Sequence, residues 1–139
     1  MAQLAPYLTF NGQCREVMTF YKECLGGELN IQTMGESPMG DKTPAEAKNH
    51  IMHSTLVAGD ITLMASDMLG SGEWNVGTAI TLCINCRSEE EIHRLFSKLS
   101  AGGKISHELK VEFWGAIFGM FTDKFGINWM LNYEKSPKA

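Results

Sequence analysis

Residues 123–134, DKFGINWMLNYE, alternate in character. Ile127, Trp129, Leu131 and Tyr133 fall on one side, and Asn128, Met130 and Asn132 on the other, which predicts a turn followed by a β-strand. The first face is a core. The second sets a thioether between two amides, and its role has to be found from the rest of the chain. Upstream, residues 6–10 read as a short strand, and Asn11 or Gly12 opens a helix over 15–25. Val17, Phe20, Tyr21 and Cys24 give that helix an apolar stripe, and Gly26-Gly27 ends it. Residues 28–34 form a strand, and the Gly-, Pro- and charge-rich stretch 35–49 a loop. Strands at 50–58 and 61–67 are joined by Gly59-Asp60, a pair suited to a two-residue hairpin. This register sets His53, Thr55 and Val57 on the face of Thr62, Met64 and Ser66, opposite Leu56, Ala58, Ile61, Leu63 and Ala65.

After a loop at 68–77 the order repeats. Residues 79–86 read as a strand, Ser88 as an N-cap with Glu91 three positions on, and Ile92, Leu95, Phe96 and Leu99 as a second helical stripe. Gly102-Gly103 ends this helix as Gly26-Gly27 ended the first, and a strand near 104–111 and a hairpin over 114–133 complete the pattern. GDITLM and FGINWM coincide in the two halves, ending at Met64 and Met130. The chain therefore reads as α+β, two βαβββ units, about 4–68 and 78–134, within one domain spanning 1–139.

A four-stranded sheet with one helix covers only one of its faces. Two such units can pair their open faces as a curved mixed sheet around a cleft. The helix side of the second unit is expected to be Ile80, Leu82, Ile84, Trp129 and Leu131. The open side mixes Thr62, Met64, Ser66, Ala79, Thr81, Cys83, Asn128, Met130 and Asn132. Such a mixture suits a small-molecule pocket, the alternative being a second, slightly polar core.

Charge and cysteine usage narrow the classes. A net charge of −4 and the absence of any basic block argue against nucleic acid or an anionic membrane as partner. No stretch of about 18 apolar residues and no export signal is present, so the expectation is a cytoplasmic protein with reduced thiols. The CxxC spacing of Cys83 and Cys86 lies in a strand, where positions three apart face opposite ways; it does not read as a zinc or redox motif.

PYLTFNGQCREVMTFYKECLGGEL, IMHSTLVAGDITLMASDM and FWGAIFGMFTDKFGINWMLN together resemble the PhnB-like branch of the vicinal oxygen chelate superfamily, which includes glyoxalases, bleomycin-resistance proteins and extradiol dioxygenases. Members of the branch sometimes carry a demethylubiquinone methyltransferase label, yet this chain shows no Gly-rich nucleotide-binding turn. In catalytic members, His, Gln or Glu on the first and last strands of each unit hold a divalent metal. Carried over by position, those places fall on Pro6, Met64, Ala79 and Met130, none a hard ligand, so the resemblance implies no metal and no other cofactor.

The resemblance also implies a homodimer and a small-molecule ligand. Its cleft would be lined by Thr55, Thr62, Met64, Ser66, Thr81, Cys83, Trp114, Asn128, Met130 and Asn132. The alternative is a lyase, isomerase or dioxygenase with an unconventional metal or acid/base site centred on His53, whose imidazole titrates near neutral pH. The competing reading of His53 is a strand histidine bonded to neighbouring backbone. Trp114 is a cleft or interface aromatic, or stacks on a ligand. Asp67 and Asp123 are expected to bond turn amides, and His50, His93 and His107 have no assigned role.

Overall fold

In the computed structural model the residues described are 2–38, 40, 45, 48–68 and 72–134. The order is β1 (Tyr7–Phe10), α1 (Cys14–Leu25), β2 (Glu28–Thr33), β3 (Ile51–Ala58), β4 (Ile61–Asp67), β5 (Leu82–Asn85), α2 (Glu89–Leu99), β6 (Lys104–Val111), β7 (Ala116–Thr122) and β8 (Asn128–Glu134). Two compact units result, Met1–Trp74 and Asn75–Ala139. Each holds one helix and a four-stranded mixed sheet, ordered β1-β4-β3-β2 and β5-β8-β7-β6. The βαβββ repeat is thus present. Parts of the expected loops at 35–49 and 68–77 lie outside the described residues.

The helices form where apolar spacing demanded them. In α2, Ile92, Leu95, Phe96 and Leu99 are all buried. Its start is a capping box: Ser88 Oγ accepts from Glu91 N at 3.0 Å, and Glu91 Oε1 accepts from Arg87 N at 2.9 Å. In α1 the N-cap is Gln13, without a side-chain cap, rather than Asn11 or Gly12. Asp67, from the end of β4, supplies what the cap lacks, accepting from Cys14 N at 3.0 Å and from Ile51 N at 2.8 Å. Met18 is fully buried, whereas Phe20 is only half-buried, so the stripe sits one position from its expected centre.

The paired glycines repeat in their packing. A Cβ on Gly27 would lie 2.1 Å from the Val57 carbonyl oxygen, and one on Gly103 would lie 2.2 Å from that of Thr122. In each unit the second glycine therefore lets the helix exit press against a strand backbone.

The strand expected over 79–86 is shorter. Only Leu82–Asn85 pairs with β8, opposite Trp129, Met130, Leu131 and Asn132. The preceding backbone is held differently: Asn128 Nδ2 donates to the Gly77 carbonyl at 3.2 Å, and Gly77 has a positive φ of 77°. Ala79 and Ile80 consequently lie outside the ladder, and Ile80, expected on the helix side, is 70% exposed.

Candidate functional site

The ladder registers define the open face of each sheet. In the first unit, Thr55 stands beside Met64 and Val57 beside Thr62, while Tyr7 and Thr9 of β1 flank Met64 and Ser66. Ser54, Leu56, Leu63 and Ala65 are buried on the helix side. His53 is exposed on the open face; its Nε2 lies 3.1 Å from Thr55 Oγ1, and its ring centroid 6.1 Å from that of Tyr7. Its neighbour is thus a side-chain hydroxyl, not backbone, and among the described residues no carboxylate hydrogen-bonds the ring to hold it as a general base.

In the second unit, Cys83 stands beside Met130 and Asn85 beside Asn132. Thr122, Met120 and Phe118 of β7 oppose Asn128, Met130 and Asn132. Trp129 and Leu131 are buried on the helix side, and Asn128, Met130 and Asn132 are half-buried on the other. Thr122 Oγ1 donates to Asn128 Oδ1 at 2.9 Å, which fixes that amide and sends its nitrogen to Gly77. Thr81 lies just before β5 and is half-buried.

Trp114 sits in the β6–β7 connection, 54% exposed, with its ring 6.1 Å from Phe118 and 4.9 Å from Phe113. His107, to which the sequence assigned no role, joins this group: its ring is 5.3 Å from Phe118, and Nε2 is 2.9 Å from Glu112 Oε1. Phe118, Met120 and Thr122 were legible as one face of an alternating strand. The His107–Glu112 pair was not, because it spans the bulged stretch of the β6 register.

The ladders also relocate the first-strand positions tested for metal. Tyr7, not Pro6, stands beside Met64, and Cys83, not Ala79, stands beside Met130. The four positions present a phenol, a thiol and two thioethers. Partial burial raises the Cys83 thiol above its ordinary pKa, and methionine sulfur is a soft donor. Neither pair, Tyr7 with Met64 or Cys83 with Met130, supplies the carboxylate or imidazole donors taken by a divalent ion that chelates substrate oxygens. Among the described residues, no three His, Cys, Asp or Glu side chains converge.

Cys14 and Cys86 are buried thiols. Burial, opposed by a hydrogen bond with Ser54, pushes Cys14 up to about 11. Burial, with the Glu91 carboxylate adding to it, pushes Cys86 up to about 12. Neither is a ready nucleophile at neutral pH. Cys83 and Cys86 do face opposite ways, one exposed and one buried. Asp67 and Asp123 are 3% exposed and engaged by backbone amides, so both serve the fold. Among the described residues no helix is long and apolar enough to cross a membrane.

Residues 2–132 match the model of the family described as 3-demethylubiquinone-9 3-methyltransferase. The chain is 34% identical over 141 residues to protein YjdN of Escherichia coli (strain K12), covering 95% of each. It is similar to the crystal structure of protein PA1353 from Pseudomonas aeruginosa, with 42% identity, a TM-score of 0.85, and coverage of 96% of this chain and 98% of that one. A Bacillus cereus structure named as a putative 3-demethylubiquinone-9 3-methyltransferase, PhnB protein, is 25% identical at a TM-score of 0.76, over 95% of this chain and 99% of that one. At the level of fold alone, a glyoxylase/bleomycin resistance protein/dioxygenase domain from Frankia sp. EAN1pec aligns with a TM-score of 0.64 at 15% identity, over 99% of this chain and 95% of that one. On residues 2–132 and these likenesses together, the chain belongs to the family described as 3-demethylubiquinone-9 3-methyltransferase, on a fold shared with the glyoxylase/bleomycin resistance protein/dioxygenase domain.

Proposed function

We propose that this protein binds a small organic molecule against its open sheet faces, without a divalent metal. The observation that carries the reading is the half-burial of Met64 and Met130 on faces that also present fixed hydroxyls and amides: Thr55, Thr62 and Ser66 in one unit, Asn128 and Asn132 in the other. Thioethers adapt to the shape of an apolar ligand, and fixed polar groups orient it. Trp114 and Phe118 add aromatic surface beside the second face. The methyl transfer named in the family's description is no part of this reading, because neither βαβββ unit contains the Gly-rich strand-to-helix turn that cradles a nucleotide cofactor. A homodimer belongs to the same proposal, supported by exposed Val111 and Phe113 in the second unit.

The test is a titration of methyl-¹³C-methionine protein with a panel of small aromatic and amphipathic compounds. Saturable shifts of the Met64 and Met130 methyls are expected with at least one compound. If every ligand that raises the melting temperature leaves both methyls unmoved, the open faces are not the site.

A further inference from the structure

One row across the open face of the second sheet is built of sulfur. Cys83 of β5 stands beside Met130 of β8, and Met130 stands beside Met120 of β7. His107 of β6 continues the row, opposite Met120. The corresponding row of the first sheet, through Met64, holds Tyr7, Thr55 and Asn30 instead. Three sulfurs in line are therefore a property of the second unit and not of the βαβββ repeat.

Directly opposed side chains on one sheet face start about 5 Å apart. An unbranched thioether has enough rotatable bonds to swing its sulfur over a neighbour, so an ion seated above Met130 is within reach of Cys83 and Met120. All three are accessible from outside: Cys83 is an exposed free thiol, and Met120 and Met130 are half-buried. His107 is not a fourth donor. Its Nδ1 donates to the Glu108 carbonyl at 2.9 Å, and its Nε2 lies 2.9 Å from Glu112 Oε1, so both ring nitrogens are engaged. Cys86 is buried on the other side of its strand and takes no part.

We propose that Cys83, Met130 and Met120 form a binding site for a soft monovalent cation of the Cu(I) class. Thiolate and thioether donors select such an ion, whereas Zn(II) would find a single thiolate and no free imidazole or carboxylate in the row. On binding, the Cys83 sulfur exchanges its proton for the metal and the proton leaves to solvent. No electron is transferred, and copper stays Cu(I) throughout. The site shares only Met130 with the contacts assigned above to an organic ligand, so it does not depend on ligand binding there.

The experiment is an anaerobic competition of the reduced full chain with the Cu(I) chelator bicinchoninate. The chain is expected to withdraw one equivalent of Cu(I). Met120→Leu and Met130→Leu keep the side-chain volume and should each weaken binding at least about tenfold, with Cys83→Ser weakening it further. Cys86→Ala, on the buried side, and Met64→Leu, in the other unit, should leave the affinity unchanged, and thermal melts of the metal-free variants establish that each is folded. Failure of the chain to compete for Cu(I) overturns the proposal. So does Cu(I) binding that survives both methionine replacements, which would be capture by the Cys83 thiol alone, and so does displacement of Cu(I) by an equal concentration of Zn(II).

Discussion

The indole Nε1–H of Trp129 donates to Asp123 Oδ2 at 2.9 Å, while Oδ1 of the same carboxylate accepts from Phe125 N at 2.9 Å and Ile127 N at 3.0 Å. One buried carboxylate thus ties the β7–β8 turn to the largest core side chain of the second unit. Asp123→Ala strands three donors, at least the indole in a place water does not reach. At about 1–3 kcal/mol for each buried unsatisfied group, the expected loss is roughly 3 kcal/mol. Urea unfolding measures it, and a loss below about 1 kcal/mol would mean that water replaces the carboxylate.

The extent to which this molecule was legible in its sequence follows the range of each interaction. Ser88 with Glu91, and Ile92 with Leu95, Phe96 and Leu99, were readable because capping and helical stripes are local. The alternation of Asn128 to Tyr133 likewise identified both faces of β8. The start of β5 was not readable, since 79–86 alternates convincingly and only pairing with β8 and the Asn128–Gly77 bond end the strand at Leu82. Nor was the partnership of Tyr7 with Met64, which depends on ladder register across more than fifty residues. Asp123 was identified as a turn residue, but its indole partner was not.

Protein purified without a metal-bearing tag is expected to hold far less than one equivalent of any divalent ion. Tyr7 beside Met64 in one unit and Cys83 beside Met130 in the other supply no carboxylate or imidazole, and among the described residues the side-chain neighbours of His53 include Thr55 and the Tyr7 ring rather than a carboxylate. Elemental analysis checks this. Stoichiometric Zn, Ni, Fe or Mn that disappears in His53→Ala would favour the enzymatic alternative instead.

Stability should fall on the alkaline side. The folded-state values of Cys14 and Cys86, about 11 and about 12, exceed the ordinary 9.0. Between these limits the folded state holds protons that the unfolded chain releases, so the stabilisation is complete below pH 9 and declines as pH rises toward 12. Cys86→Ala should flatten the decline between pH 9 and 11 in urea midpoints. An unchanged slope would show that other groups govern it.

Sedimentation at micromolar concentration is expected to give a homodimer. Val111 is 57% exposed and Phe113 96%, apolar surface that a second copy can cover. Phe113→Asp should then shift the population toward monomer. A wild-type chain sedimenting as monomer removes the proposal.

The two faces of β8 predict opposite responses to the same substitution at adjacent positions. Trp129 is 1% exposed against the helix layer, and its replacement by Glu loses the ring's packing and places an unpaired charge in the core. These costs are about 3–5 kcal/mol each, together comparable to the whole stability of a small domain. Met130 is half-buried between Cys83 and Met120, on the face away from α2. A carboxylate there can stay hydrated or take up a proton, and Met130→Glu should cost about 1–2 kcal/mol. Thermal unfolding of the two variants separates the cases. If Met130→Glu unfolds the protein as completely as Trp129→Glu, the open face is sealed core, and small-molecule binding through Met64 and Met130 loses its physical basis.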